Sequence, residues 1–191
     1  MIPRLVIASK NPDKIDEIGQ VLTTTGLVDE IVTGLDWPDV AETGSTLEEN
    51  ALLKARAVVQ ATGLPVIADD TGLEVAALGG APGVHTARFA GEAASYEDNV
   101  TKMLEVLPGN GDRSARFRTV VVLALPDGVE VVADGSLEGV IAGERRGSNG
   151  FGYDPVFEVD GRTLAEMTIE EKNQLSHRAR AVRALAESVL P

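Results

Sequence analysis

A chain of 191 residues, 43% hydrophobic and 25% charged, has the composition of an ordinary soluble globular protein and can bury a real core as one large domain or two small lobes. Its formal net charge of −13 is answered by no basic run denser than Arg145-Arg146, so neither nucleic acid nor a membrane surface is expected as a partner. With no cysteine, disulfides, thiolate catalysis and Cys-zinc sites are excluded.

No apolar run is long enough to cross a bilayer, and the first residues lack a signal-peptide layout, so a cytoplasmic location is the expectation. Residues 5–8 predict a short strand, followed by Ser9-Lys10-Asn11-Pro12-Asp13-Lys14. Asn11 is a good N-cap and Pro12 suits the first helical position. Ile15, Ile18, Val21 and Leu22 recur at helical spacing, which predicts a helix over residues 12–24. Strand, polar turn and helix N-terminus together aim backbone N–H groups at an anion, with Lys10 and Lys14 adding charge. The Walker pattern is missing, and taken alone the segment reads as a plain capped turn.

Residues 27–33 predict a second strand, and Trp37-Pro38-Asp39 opens a loop that continues through Glu42-Thr43-Gly44. Thr46 and Glu49 are spaced as a capping box. Leu47, Ala51, Ala55 and Val58 make the apolar stripe of the helix that follows, and Gly63 closes it. Glu49, Asn50 and Lys54 fall on its first turns.

Val66-Ile67-Ala68 reads as a buried strand that ends in Asp69-Asp70-Thr71-Gly72. Alternation along a strand sends Asp69 and Asp70 to opposite sides. Acid pairs of this kind bind Mg²⁺ or activate water, although Asp and Gly also favour a solvated turn. The glycines and proline of residues 78–88 predict a shaped loop. In it His85 reads as loop structure, and Arg88 as either a phosphate ligand or a surface cation.

Residues 96–107 predict an amphipathic helix stopped by Pro108-Gly109. Residues 116–125 and 129–133, joined by Pro126-Asp127-Gly128, predict a hairpin, with residues 120–125 covered on both faces. Parallel-looking βα units early and a hairpin late predict an α/β chain with a mixed sheet. In the glycine-rich loop of residues 143–155, Phe151 and Tyr153 read as exposed aromatics on which a base could stack. Asp154, before Pro155, reads as extended. Thr168 and Glu171 form another capping box, on a short helix carrying Lys172. Ser176 caps the last helix, which places His177 and Arg178 at a helix N-terminus. A cation there opposes the dipole, and this favours a functional reading.

In this order the motifs resemble the inosine triphosphate pyrophosphatase family. The matching segments are Ser9-x-Asn11-x-x-Lys14, Glu42-Thr43-Gly44, Glu49-Asn50-Ala51-x-x-Lys54-Ala55, Ala68-Asp69-Asp70-Thr71-Gly72-Leu73, Leu78-Gly79-Gly80-x-Pro82-Gly83, Gly150-Phe151-Gly152-Tyr153-Asp154-Pro155 and Ser176-His177-Arg178. Any one is weak, but the ordered set is highly specific and spans nearly the whole chain. The departures are small: Thr71 replaces the usual serine, Asn149 a frequent glycine, and Ala179 another.

The resemblance implies an elongated α/β fold, a single catalytic domain over residues 1–191 whose two lobes share a sheet and flank the active site. It implies a homodimer that requires Mg²⁺ and hydrolyses dITP, ITP and XTP to the monophosphate and pyrophosphate. Carried over by position, Ser9, Lys10, Asn11, Pro12, Asp13 and Lys14 would bind the triphosphate and Thr71 would contact substrate. Asp70 would be catalytic base and metal ligand, with Glu42 as second metal ligand. Phe151, Gly152, Tyr153 and Asp154 would hold the base, and Lys172, His177 and Arg178 would complete its pocket. Three rival readings fare worse. A septum-inhibitor-like pyrophosphatase conflicts with residues 151–154 and 176–178. A haloacid-dehalogenase-like phosphatase needs D-x-D, whereas here the acids are adjacent. A non-catalytic nucleotide sensor has no need of a water-activating acid.

Overall fold

The structure is a computed structural model, and it describes residues 1–107, 109 and 111–190. The chain enters on β1 (Ile2–Ile7), turns at Asn11 into α1 (Pro12–Thr25) and returns through β2 (Val28–Val32). The Asn11 side chain accepts from the Asp13 N–H and Pro12 occupies the first helical turn, as its residue types require. α2 (Leu47–Thr62) begins at Thr46, whose capping box with Glu49 is complete, and stops at Gly63 in the left-handed region at φ 66°.

The remaining elements are β3 (Val66–Val75), β4 (Pro82–Gly83), α3 (Tyr96–Val106), β5 (Ser114–Ala124), β6 (Glu130–Ile141), β7 (Phe157–Val159), β8 (Arg162–Thr163), α4 (Ile169–Leu175) and α5 (His177–Val189). The expected stop at Pro108 lies outside the described residues; α3 itself ends at Val106. Among the described residues, eight strands form one sheet in the order β2-β1-β3-β5-β6-β7-β8, with β4 on β3. Pairing is parallel for β1 with β2 and β3. It is antiparallel for β6 with β7, β7 with β8 and β3 with β4. The sheet is mixed, as the early βα units and late hairpin predict.

β3 differs from its expected form. It does not end at the acids but carries Asp69, Asp70, Thr71 and Gly72 within a ten-residue strand. The turn tendency of Asp and Gly gives way there to the ladder, because Leu73 and Val75 beyond them are fully buried and draw the strand onward. β5 and β6 likewise extend past the predicted hairpin.

The chain divides into two compact units, one of residues 1–70, 119–135 and 177–191, the other of residues 71–118 and 136–176. Each has its own core. In the first, Leu5 and Ile7 of β1, Ile18 and Leu22 of α1, Ile67 of β3, Val121 and Leu123 of β5, and Val182 and Leu185 of α5 pack together. In the second, Leu73, Met103 of α3, Phe117 of β5, Ile141 of β6, Phe157 and Leu164 do so. Among the described residues no helix is long and apolar enough to cross a membrane.

Candidate active site

Within the first unit, β3 delivers two adjacent carboxylates to two different sets of cations. Asp69, 2% exposed, accepts from Lys14 Nζ at 3.2 Å and lies 3.3 Å from Arg178 Nε. Asp70, 6% exposed, lies 3.3 Å from Lys54 Nζ and accepts from Asn50 Nδ2 at 3.2 Å. Asp69 thus faces α1 and α5 while Asp70 faces α2, the division that strand alternation predicts.

The surrounding charges decide how each acid behaves. Burial works against ionisation of Asp69, but Lys14, Arg178 and Lys54 outweigh it and hold its carboxyl well below the usual range. Burial pushes Asp70 up, and Lys54 and Lys14 offset this only in part. The two acids are therefore chemically distinct: Asp69 is a fixed anion, whereas Asp70 is the better proton acceptor. Burial lowers Lys14 despite Asp69. Lys54 is raised in spite of burial, because Asp70, Asp69 and Glu42 all favour its charge.

The loop of residues 9–14 is organised by its own side chains. Ser9 Oγ accepts from the Asn11 N–H at 3.1 Å, and Asn11 Oδ1 from the Asp13 N–H at 3.0 Å. Lys14 points inward to Asp69, while exposed Lys10 pairs with Asp39. A cavity of about 340 Å³ opens beside Ser9 and Lys10, lined also by Ile15, Ile31 and Trp37. His177 and Arg178 are buried in the first turn of α5. The dipole conflict expected for Arg178 is resolved by two carboxylates, Asp69 and Glu17 of α1.

Lys54 also pairs with Glu42 at 3.0 Å, so Glu42 and Asp70 share one positive charge. Among the described residues no group of three or more His, Asp or Glu is gathered as a cation cage. Mg²⁺ is commonly held by one or two carboxylates together with waters and substrate phosphates, so this pair of hard oxygen donors fits it.

Of the base-holding candidates, residues 151–154 and Lys172 lie in the second unit, and His177 and Arg178 in the first. Tyr153 departs from the expected exposed aromatic: it is 4% exposed, packs in the second core and donates its hydroxyl to the Thr86 carbonyl at 3.0 Å. Burial raises its pKa. Phe151 remains half-buried, its ring 5.7 Å from that of Tyr96 and 5.0 Å from Lys172 Nζ. Asp154 sits among turns rather than in extended chain. It is buried, accepts from the Phe151 N–H at 2.8 Å and pairs with Lys172. Gly152 lies between Phe151 and Tyr153 at φ 61°, and Thr71 follows Asp70 in β3. Arg88 pairs with Glu92 at 3.6 Å.

Sequence reasoning gave Glu17, Asn50 and Lys54 no role. Glu17 carried a signal, since it is an acid next to Ile18 on the apolar side of α1, where only a buried counter-charge makes it tolerable.

Comparison with known proteins finds relatives over nearly the whole chain. A sequence model of the Ham1 family matches residues 5–188. A dITP/XTP pyrophosphatase of Methylococcus capsulatus is 50% identical, covering 96% of this chain and 94% of its own. One of Symbiobacterium thermophilum is 52% identical over 94% and 91%. The Ham1 protein of Staphylococcus aureus superposes with a TM-score of 0.83 at 42% identity, covering 97% of each chain. A HAM1 protein of Coxiella burnetii gives 0.86 at 42% identity, covering 98% of each. The chain belongs to the Ham1 family, the relationship that the order of its motifs predicts.

Proposed function

We propose that this chain is a nucleoside triphosphate pyrophosphatase that hydrolyses dITP, ITP and XTP to the monophosphate and pyrophosphate, so clearing non-standard purines from the nucleotide pool. One observation carries the reading: Lys14, at the start of the capped helix α1, reaches Asp69, the neighbour of Asp70, whose carboxyl burial pushes up. The relatives named dITP/XTP pyrophosphatase support it over nearly the full chain.

Glu42 and Asp70 would hold Mg²⁺, which supplies charge neutralisation on phosphate oxygens and a more acidic water. Asp70 takes a proton from water as the water oxygen bonds to the α-phosphorus. The bond from that phosphorus to the bridging oxygen breaks, and pyrophosphate leaves with the electron pair. Lys14 and the N–H groups at the start of α1 steady the leaving charge. Phe151, Gly152, Tyr153, Asp154, Lys172, His177 and Arg178 are assigned to the base. In this assignment Phe151 offers a face to stack on, and Tyr153 and Asp154 hold the loop that presents it. A pocket donor satisfied by a 6-oxo acceptor disfavours adenine, a mismatch of roughly 1–3 kcal/mol. The reading extends to a homodimer in the cytoplasm, which light scattering and cell fractionation test.

The decisive assay measures pyrophosphate release from ITP, XTP, dITP, GTP, ATP and dTTP, with and without Mg²⁺. ITP, XTP and dITP should lead. Preference for ATP or dTTP, or equal turnover of all six, would overturn the selectivity, and free phosphate as first product would overturn attack at the α-phosphorus. Asp70→Asn should abolish turnover while nucleotide binding stays measurable.

A further inference from the structure

A neutral side chain holds the proposed base in place. Asn50, in the first turns of α2, is 1% exposed. Its Oδ1 accepts from the Gly44 N–H at 2.8 Å and its Nδ2 donates to Asp70 Oδ2 at 3.2 Å. These partners fix which way the amide faces, because only its oxygen can meet an N–H and only its nitrogen a carboxylate. Lys54 completes the circuit by reaching the other oxygen of Asp70 at 3.3 Å and Glu42 at 3.0 Å.

Gly44 is matched to this contact. A Cβ there would lie 2.6 Å from Glu49 Cβ and 2.7 Å from Asn50 Oδ1, so a side chain would push the amide away. The bland account, a buried asparagine satisfied by local structure, explains the bond to Gly44. It does not explain why the other end of the amide is given to Asp70, the acid assigned as base above, rather than to water or to a backbone group.

We propose that Asn50 is a positioning residue that clamps Asp70 to the Glu42-Thr43-Gly44 segment, holding both carboxylates in the arrangement that the reaction uses. The proposal rests on the assignment of Asp70 made above. Asn50 itself contacts neither water nor phosphate in this scheme. It removes the freedom of the Asp70 carboxylate to rotate, and of the loop bearing Glu42 to drift.

Two variants test the clamp from opposite sides. Asn50→Leu keeps the volume and removes both hydrogen bonds, whereas Gly44→Ala keeps Asn50 and displaces its amide. Each should lower kcat for ITP by about 10–100-fold, the usual cost of losing a partner that orients a ligating carboxylate. KM should change by less than about 3-fold, since ground-state binding lies elsewhere. Calorimetry in EDTA should show metal-free ITP binding at the wild-type affinity, which also certifies that each variant is folded. The double variant should be no slower than the slower single, because both act through one contact. Wild-type kcat in either folded variant, a loss confined to KM, or multiplicative losses in the double variant would overturn the clamp. Asp70→Asn run alongside separates the two ideas. If it remains active, the assignment of Asp70 fails; if it is inactive while Asn50→Leu is fully active, only the clamp fails.

Discussion

At the scale of single residues, the first unit concentrates charge where a soluble protein ordinarily avoids it. Arg178, Asp69 and Glu17 are each no more than 4% exposed, and Arg178 holds both acids. Removing one member of such a group leaves the others buried without compensation, which is costlier than the net worth of the contacts. Arg178→Ala is therefore expected to cost about 3–5 kcal/mol of stability in denaturant unfolding, even though Lys14 still faces Asp69. A loss near zero would mean that water reaches these carboxylates. Asp69 and Asp70 are the clearest case of what chain order alone left open. Alternation along a strand separated them, but which acid is held down and which is pushed up depends on burial and on Lys14, Arg178 and Lys54, and these cations come from three different helices.

At the scale of elements, capping chemistry was legible and close approach was not. Asn11, Thr46 and Thr168 cap the helices that follow them as their positions predict, because each cap is decided within four residues of chain. Glu171 belongs to the last of these caps. Its bonds from Arg162 and the Thr168 N–H hold its carboxyl down at about 2, against an ordinary 4.5. Between those values the unfolded chain binds more protons than the folded one. The contribution is thus complete above pH 4.5 and fades as pH falls toward 2. Thermal midpoints measured across that window should fall less steeply in Glu171→Gln than in the parent, and parallel curves would show that the cap does not sense pH.

Gly135 of β6 illustrates the other case. A Cβ there would sit 2.4 Å from the His177 carbonyl and from the Ala181 N–H, so β6 and the start of α5 meet backbone to backbone. Gly135→Ala is expected to cost about 1–3 kcal/mol through overpacking. Gly143→Ala is the control, since an added Cβ there meets nothing within 4 Å. Equal melting temperatures for the two variants would remove the steric argument. Nothing in the run Asp134-Gly135-Ser136 announces a helix packed against it.

At the scale of the whole molecule, the charge of −13 coexists with two lysines, Lys14 and Lys54, set against the acids of β3. In the proposed function a triphosphate would meet these local cations despite the global sign. Lys54 already lies between Glu42 and Asp70, so these acids do not need a metal ion to be tolerated in the fold. EDTA is accordingly expected to abolish pyrophosphate release while the far-UV circular dichroism stays unchanged, with added Mg²⁺ restoring turnover. Collapse of the spectrum on chelation would make the ion structural instead.

The sequence by itself determined the caps at Asn11, Thr46 and Thr168, the apolar stripes, the mixed α/β class and, through seven ordered motifs, the family. All of these are written in neighbouring residues or in fixed spacings. Only the tertiary structure decided that β3 runs straight through its acids, that Tyr153 turns inward to Thr86, and that Asn50 and Lys54 divide the two oxygens of Asp70 between them. Those outcomes depend on which side chains from distant segments compete for the same buried space, and burial turns each such meeting into a requirement for a matched partner.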